Sequence, residues 1–313
     1  MLAGGALRTR AYAKVNLHLG VAEVRPDGYH ELASVFQSLD IADEVSLELR
    51  EPGVDSELTL SGAYAAGVPA DASNLAWRAV DAVAAAQGID TPAFALHLDK
   101  GIPAAGGMAG GSADAAAALR LADAAFVDAG LAPAPLGEDR LMDLAAGLGS
   151  DVPFTLLGGT ALGVGRGEVL TPMLSRGHFT WAIITNASGL STPAVFAKLD
   201  ELRAAGRGSE PHMDTAAVAA ALISGNPRQL APALTNDLQS AAFSLRPDLR
   251  KILETGAAAG ALRGIVSGSG PTCAFLCEDV ETAQEVIAQV TADNRGTRGL
   301  VATGPVPSAP VGR

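Results

Sequence analysis

Cysteine is nearly absent from this sequence: Cys273 and Cys277 are the only two in 313 residues. Their spacing puts both on one face of an apparent strand, with no His or Cys cluster to complete a zinc site. Two buried thiols in a reducing cytosol are expected. Charge is scarce too. Charged residues make up 18% against 48% hydrophobic, which argues against disorder and leaves ample material for a core. That charge is lopsided, with 22 basic and 34 acidic residues and a net charge of −12. Such a surface repels nucleic acid and anionic lipid, so neither is an expected partner. An anionic substrate would need a local pocket of positive potential. Apolar runs long enough for a transmembrane helix or a signal peptide are missing, and the chain reads as cytoplasmic. Lysine is rarer than arginine, four against 18, and Lys14, Lys100, Lys198 and Lys251 stand out for that reason. A compact ammonium does some jobs that a guanidinium cannot.

What is present falls into alternating segments. From Lys14 to Val24, Val15, Leu17, Leu19 and Val21 face one way and Lys14, Asn16 and His18 the other, as in a strand with a polar face. Further strands are expected at 44–50, 94–98, 179–184, 263–267, 272–277 and 298–303. Helices are expected at 73–88 (with Ser73 as N-cap), 112–129, 139–148, 193–204, 214–224, 247–259 and 281–292. Strands and helices that do not alternate as regular βαβ units predict an α+β fold. The pattern relaxes near 165–177, and two lobes are expected, 1–168 and 169–313. The proline-bearing tail from Pro305 is expected to be loose.

Three short motifs carry the chemistry. The segment Gly101-Ile102-Pro103-Ala104-Ala105-Gly106-Gly107-Met108-Ala109-Gly110-Gly111-Ser112-Ala113 joins a strand to a helix start. Glycines there let backbone approach a ligand, and a helix N-terminus attracts phosphate. It is neither a dinucleotide fingerprint nor a Walker A loop, since Ser112 stands where that loop requires Lys. A phosphate cradle without its own lysine needs positive charge from elsewhere. Gly149-Ser150-Asp151-Val152-Pro153-Phe154 places Asp151 where it could be an ordinary helix cap. Ser267-Gly268-Ser269-Gly270-Pro271-Thr272 reads by itself as a tight turn.

Together, Ala13-Lys14-Val15-Asn16-Leu17, the loop from Pro103 to Ala113, and Ser267 to Cys273 resemble the three ordered motifs of the GHMP kinases. The resemblance implies a ribosomal-protein-S5-like N-terminal lobe and a ferredoxin-like C-terminal lobe with the site between them. It also implies ATP with Mg²⁺, with Lys14 and Asp151 as the catalytic pair. The loop from Pro103 through Ala104, Ala105, Gly106, Gly107, Met108, Ala109, Gly110 and Gly111 to Ser112 would hold the phosphates. Asn74, Leu75 and Lys100 match positions near the adenine. No acidic residue stands out as a metal ligand, so the ion is expected on the ATP phosphates and Ser112. Asp27-Gly28-Tyr29-His30-Glu31-Leu32 points, within that family, to a substrate in which a cytidine diphosphate is joined to methylerythritol, phosphorylated at its 2-hydroxyl. Tyr29 and Phe196 would then sandwich the base, His30 would read its edge, and Asn16 and Thr192 would lie around the methylerythritol phosphate. Lys198 is either a solvated helix charge or a phosphate contact. Another GHMP kinase, or a nucleotide sensor without catalysis, is the alternative.

Overall fold

A computed structural model describes residues 5–103, 106–186 and 189–313. Its first strand, β1 (Leu7–Val24), alternates buried and exposed residues at its start and is then buried on both faces. The expected polar face is therefore interior: Lys14, Asn16 and His18 are each only 3% exposed. β1 pairs antiparallel with β2 (His30–Leu49), and the register shifts between Tyr12 and Lys14 and again between Asn16 and His18. Such bulges re-aim side chains and often sit beside functional sites.

β3 (Glu57–Ser61), α1 (Leu75–Gln87), β4 (Phe94–Asp99), α2 (Gly110–Asp128), α3 (Glu138–Leu148), α4 (Val152–Leu157), β5 (Thr160–Gly165) and β6 (Val169–Pro172) follow. The sheet runs β3-β4-β2-β1, with β5 on β2 and β6 on β5. α2 packs against both β1 and β2. Its alanines are buried almost all round the helix, because only methyl groups let α1 and the sheet approach it that closely. α1 is capped by Asn74, not Ser73: the Asn74 Oδ1 accepts from Ala76 N at 2.8 Å, while the Ser73 hydroxyl is taken by Asp71.

The second sheet opens with β7 (Phe179–Asn186), and α5 (Thr192–Ala204), α6 (Ala216–Ser224), α7 (Pro227–Leu230), β8 (Thr235–Asn236), α8 (Gln239–Leu245), α9 (Asp248–Ala258), β9 (Arg263–Val266), β10 (Cys273–Cys277), α10 (Val280–Asp293) and β11 (Thr297–Gly304) complete the chain. Its order is β11-β7-β10-β9, all antiparallel, with α9 and α10 packed on it around Ile184, Phe275, Val286 and Val290. Two such sheets with their own helices make the α+β, two-lobed fold. Both cysteines are buried on β10.

The lobes are not simple halves of the chain. β6 belongs to the first sheet, so the strands change sheet between 172 and 179 and not at 168. β8 then returns to pair parallel with β1, at His18 with Thr235 and Leu19 with Asn236. The tail is not loose either. Arg8 and Gly312 exchange backbone hydrogen bonds of 2.8 and 2.9 Å, Gly159 N donates to Val306 O at 2.9 Å, and Thr9 Oγ1 donates to Pro310 O at 2.9 Å. Prolines cannot donate, but their carbonyls and those of their neighbours accept freely, and that is how this tail is held.

Candidate active site

The site begins on β1. Lys14 Nζ donates to Asn16 Oδ1 at 2.8 Å, and Asn16 Nδ2 donates to Ser34 Oγ at 2.7 Å. Two residues apart on one strand, Lys14 and Asn16 share a side. Lys14 Nζ lies 3.6 Å from Asp151 Oδ2 and 5.5 Å from the centre of the Phe36 ring. Asp151 occupies the N-cap position of α4 yet makes no capping hydrogen bond. Its carboxylate, 35% exposed, is turned instead toward Lys14 and the cleft. At that separation the pair is held by charge, and the ammonium and carboxylate both keep hydrogen-bonding capacity for a ligand.

The two glycine motifs meet beside this pair. A Cβ on Gly107 would lie 2.2 Å from Ser267 O, and one on Gly106 would lie 2.1 Å from Thr272 Oγ1. Neither position admits a side chain, and Gly107 also has φ +77°. Met108 O accepts from Lys14 N at 3.2 Å, which ties the loop to β1, while the Met108 side chain is buried in the core. Ala109 holds a left-handed conformation, φ 59°, that a residue with a Cβ seldom adopts. Such strain is kept where surrounding structure imposes it, and here it precedes the first turn of α2. No side chain caps that helix start among the described residues, so its N–H donors are left for a ligand. Pro103 is buried, and Ser112 is half-buried on the first turn of α2. Ala104 and Ala105 lie outside the described residues. Asn236 stitches the two sheets together here, donating to Val266 O at 2.8 Å and Gly268 O at 2.7 Å. Thr192 and Ser269 share a hydroxyl hydrogen bond of 2.8 Å.

The far end of the cleft is aromatic. Tyr29 is 53% exposed, with the Arg166 guanidinium 5.1 Å from its ring centre. His30 is buried, its ring 5.1 Å from Phe196, and its Nε2 is 2.9 Å from Asp200 Oδ1. Phe196 packs on the core cluster of Leu19, Val195 and Leu199 and also lines the cleft, so it is at once core and wall. The turn before Tyr29 is fixed locally. Arg25 bonds Asp27 and Glu31, and Asp27 accepts from Tyr29 N at 3.1 Å. Hydrogen bonds from Arg25 hold both carboxyls below the usual range, aided by Tyr29 N at Asp27 and Gly165 N at Glu31. The Glu31–Gly165 bond, 2.8 Å, also anchors the hairpin that carries Arg166.

One cleft of about 960 Å³ is thus lined by Lys14, Asn16, Asp151, Tyr29, His30 and Phe196, together with Gly106, Gly107, Ala109 and Thr192. Four residues weighed from the sequence, Lys100, Asn74, Leu75 and Lys198, are not part of that lining. Lys100 is buried and bonded to Asp43 and Asp114, so its side chain belongs to an interior ion cluster. The Asn74 amide is used up as a helix cap and a donor to Pro69 O, and Leu75 packs on the core. Lys198 pairs with Glu201 on the helix surface. Arg166, Asp200 and Asn236 were not singled out by the sequence. Asp200 alone had a signal, lying one helical turn after Phe196.

Two family models match the chain, the GHMP kinases N-terminal domain over residues 74–159 and the GHMP kinases C-terminal region over 218–295. Fold and cleft are those of a GHMP-type small-molecule kinase. A curated 4-diphosphocytidyl-2-C-methyl-D-erythritol kinase of Corynebacterium diphtheriae is 51% identical over 98% of this chain and 98% of that protein. A crystal structure of 4-(cytidine 5'-diphospho)-2C-methyl-D-erythritol kinase superposes with TM-score 0.74 at 31% identity, covering 95% of this chain and 98% of that one. The mevalonate kinase of L. major, solved with R-mevalonate, shares the fold at TM-score 0.72 but only 17% identity, over 97% of each chain. The chain belongs to the GHMP kinases and, among them, to the family of the 4-diphosphocytidyl-2-C-methyl-D-erythritol kinases.

Proposed function

We propose that this protein transfers the γ-phosphoryl group of ATP to the 2-hydroxyl of 4-diphosphocytidyl-2-C-methyl-D-erythritol, a step in making isoprenoid precursors. One observation carries the reading: a single cleft joins the Lys14–Asp151 pair and the phosphate loop to the Tyr29, His30 and Phe196 group. The relatives' shared name says which molecule would span it.

In this reading the ATP phosphates lie on the loop 106–112 and the uncapped start of α2. Asp151 orients the acceptor hydroxyl and takes its proton. Lys14 stabilises negative charge on the phosphoryl group in flight. Because that transition state is loose, Asp151 contributes positioning as much as basicity. The base lies against Tyr29, with His30, its Nε2 held by Asp200, beside Phe196. No cluster of three or more His, Cys, Asp or Glu gathers among the described residues. An Mg²⁺ ion would arrive on ATP and lean on the Ser112 hydroxyl, where it would neutralise phosphate charge.

The test is ADP release measured with the cytidyl substrate and, side by side, with mevalonate, homoserine and galactose. Turnover confined to the cytidyl compound is expected. Preference for any of the others would sink the substrate assignment, and release from none would leave a nucleotide-binding sensor.

A further inference from the structure

Beneath the phosphate loop lies a buried charge cluster for which the transfer chemistry has no use. Lys100 Nζ bonds both Asp43 Oδ2 and Asp114 Oδ2, and all three side chains are almost completely buried. Asp43 has a second task. Its Oδ1 accepts from Gly101 N and Ile102 N, each at 2.7 Å, and so fixes the entrance of the loop. The cost is electrostatic. A Cβ placed on Gly110, the first residue of α2, would lie 3.8 Å from Asp43 Oδ2. A carboxylate that close to the helix start occupies the field that should attract phosphate, and it repels phosphate directly.

Asp114 is bound less well: its Oδ1 is buried with no hydrogen-bond partner. Burial, countered by Lys100 and reinforced by Asp43, pushes its carboxyl up to about 8.

We propose that Lys100 is a positioning residue whose ammonium cancels the charge of Asp43, so that the backbone anchor can stay beneath the loop without spoiling the start of α2 for ATP. This rests on reading that loop as the ATP phosphate site. A direct contact between Lys100 and nucleotide would require its side chain, 2% exposed, to abandon two carboxylates.

The experiment is calorimetric titration of the whole chain with Mg²⁺ and a non-hydrolysable ATP analogue, beside a thermal melt and steady-state kinetics. Lys100→Met should weaken analogue binding by about 10- to 100-fold while leaving the KM of the phosphoryl acceptor unmoved. Lys100→Met/Asp43→Asn keeps an oxygen acceptor for Gly101 and Ile102 but removes the stranded charge. It should recover binding to within about threefold of the parent. A folded double variant that binds as weakly as the single one would overturn the proposal, because the ammonium would then act on its own account. So would a double variant that cannot fold. Should Lys100→Met alone fail to fold, the double variant carries the test. Absence of analogue binding by the unaltered chain would defeat the phosphate-site reading itself. Normal binding by a folded Lys100→Met would defeat only the role of Lys100.

Discussion

At the residue scale the catalytic proposal divides into two separable charges. Asp151 does not cap α4, so Asp151→Asn should spare the helix and lower turnover by roughly 10²–10⁴, with analogue binding by calorimetry nearly intact. Near-normal turnover would return Asp151 to a structural role. Lys14→Met should cost about 10²–10³ in rate. Its ammonium is buried against Asn16, so a melting curve must accompany the kinetics. Unfolding without a specific rate defect would mark it as structural. Tyr29 is a different kind of residue, exposed and held from below by a tight turn. A stacked base is worth about 1–3 kcal/mol, so Tyr29→Ala should lower kcat/KM for the cytidyl substrate by roughly 5- to 150-fold. The KM for ATP should stay put, and damage to ATP use would relocate the base. Lys14, Asp151 and Tyr29 were readable because each sits in a short local motif. Arg166 and Asn236 were not. Arg166 owes its place to Glu31, which tethers a hairpin more than a hundred residues away, and Asn236 to carbonyls of another sheet.

At the scale of elements, amphipathic segments were legible and doubly buried ones were not. The sequence indicates a strand at 44–50, yet β2 begins at His30. Ser34, Gln37 and Ser38 are all buried in its first half, so the apolar–polar alternation that betrays a strand is erased. β8 is two residues long and carries no periodicity at all. The tail misled for a related reason, since proline content speaks to helix and sheet interiors but not to carbonyl acceptors. Ser38 Oγ donates to Val306 O and accepts from Val306 N at 3.1 Å, beside the Gly159 bond. Deleting residues 305–313 should therefore destabilise the first sheet by roughly 3–9 kcal/mol, at about 0.5–1.5 kcal/mol for each of six hydrogen bonds lost. Urea unfolding measures this. An unchanged midpoint would show that these bonds add nothing over water.

For the whole molecule, the division into two lobes was legible but its crossings were not. The chain leaves the first sheet after β6, returns through β8, leaves again, and returns with the tail. Bodies joined at several places have no single hinge, so wide opening of the cleft is disfavoured. Solution scattering with and without Mg²⁺, ATP analogue and acceptor should give radii of gyration within about 1 Å, the scale of pre-organised binding. A larger contraction would reveal a domain closure that these crossings ought to forbid. The same threading sets a timetable for synthesis. β1 leaves the ribosome ahead of the other strands described, but one edge of it waits for Thr235 and Asn236, and its start waits for Gly312. The strand that carries Lys14 can be made early and yet be finished only when residues near 312 have emerged, so an interrupted nascent chain would hold Lys14 on an unclosed sheet.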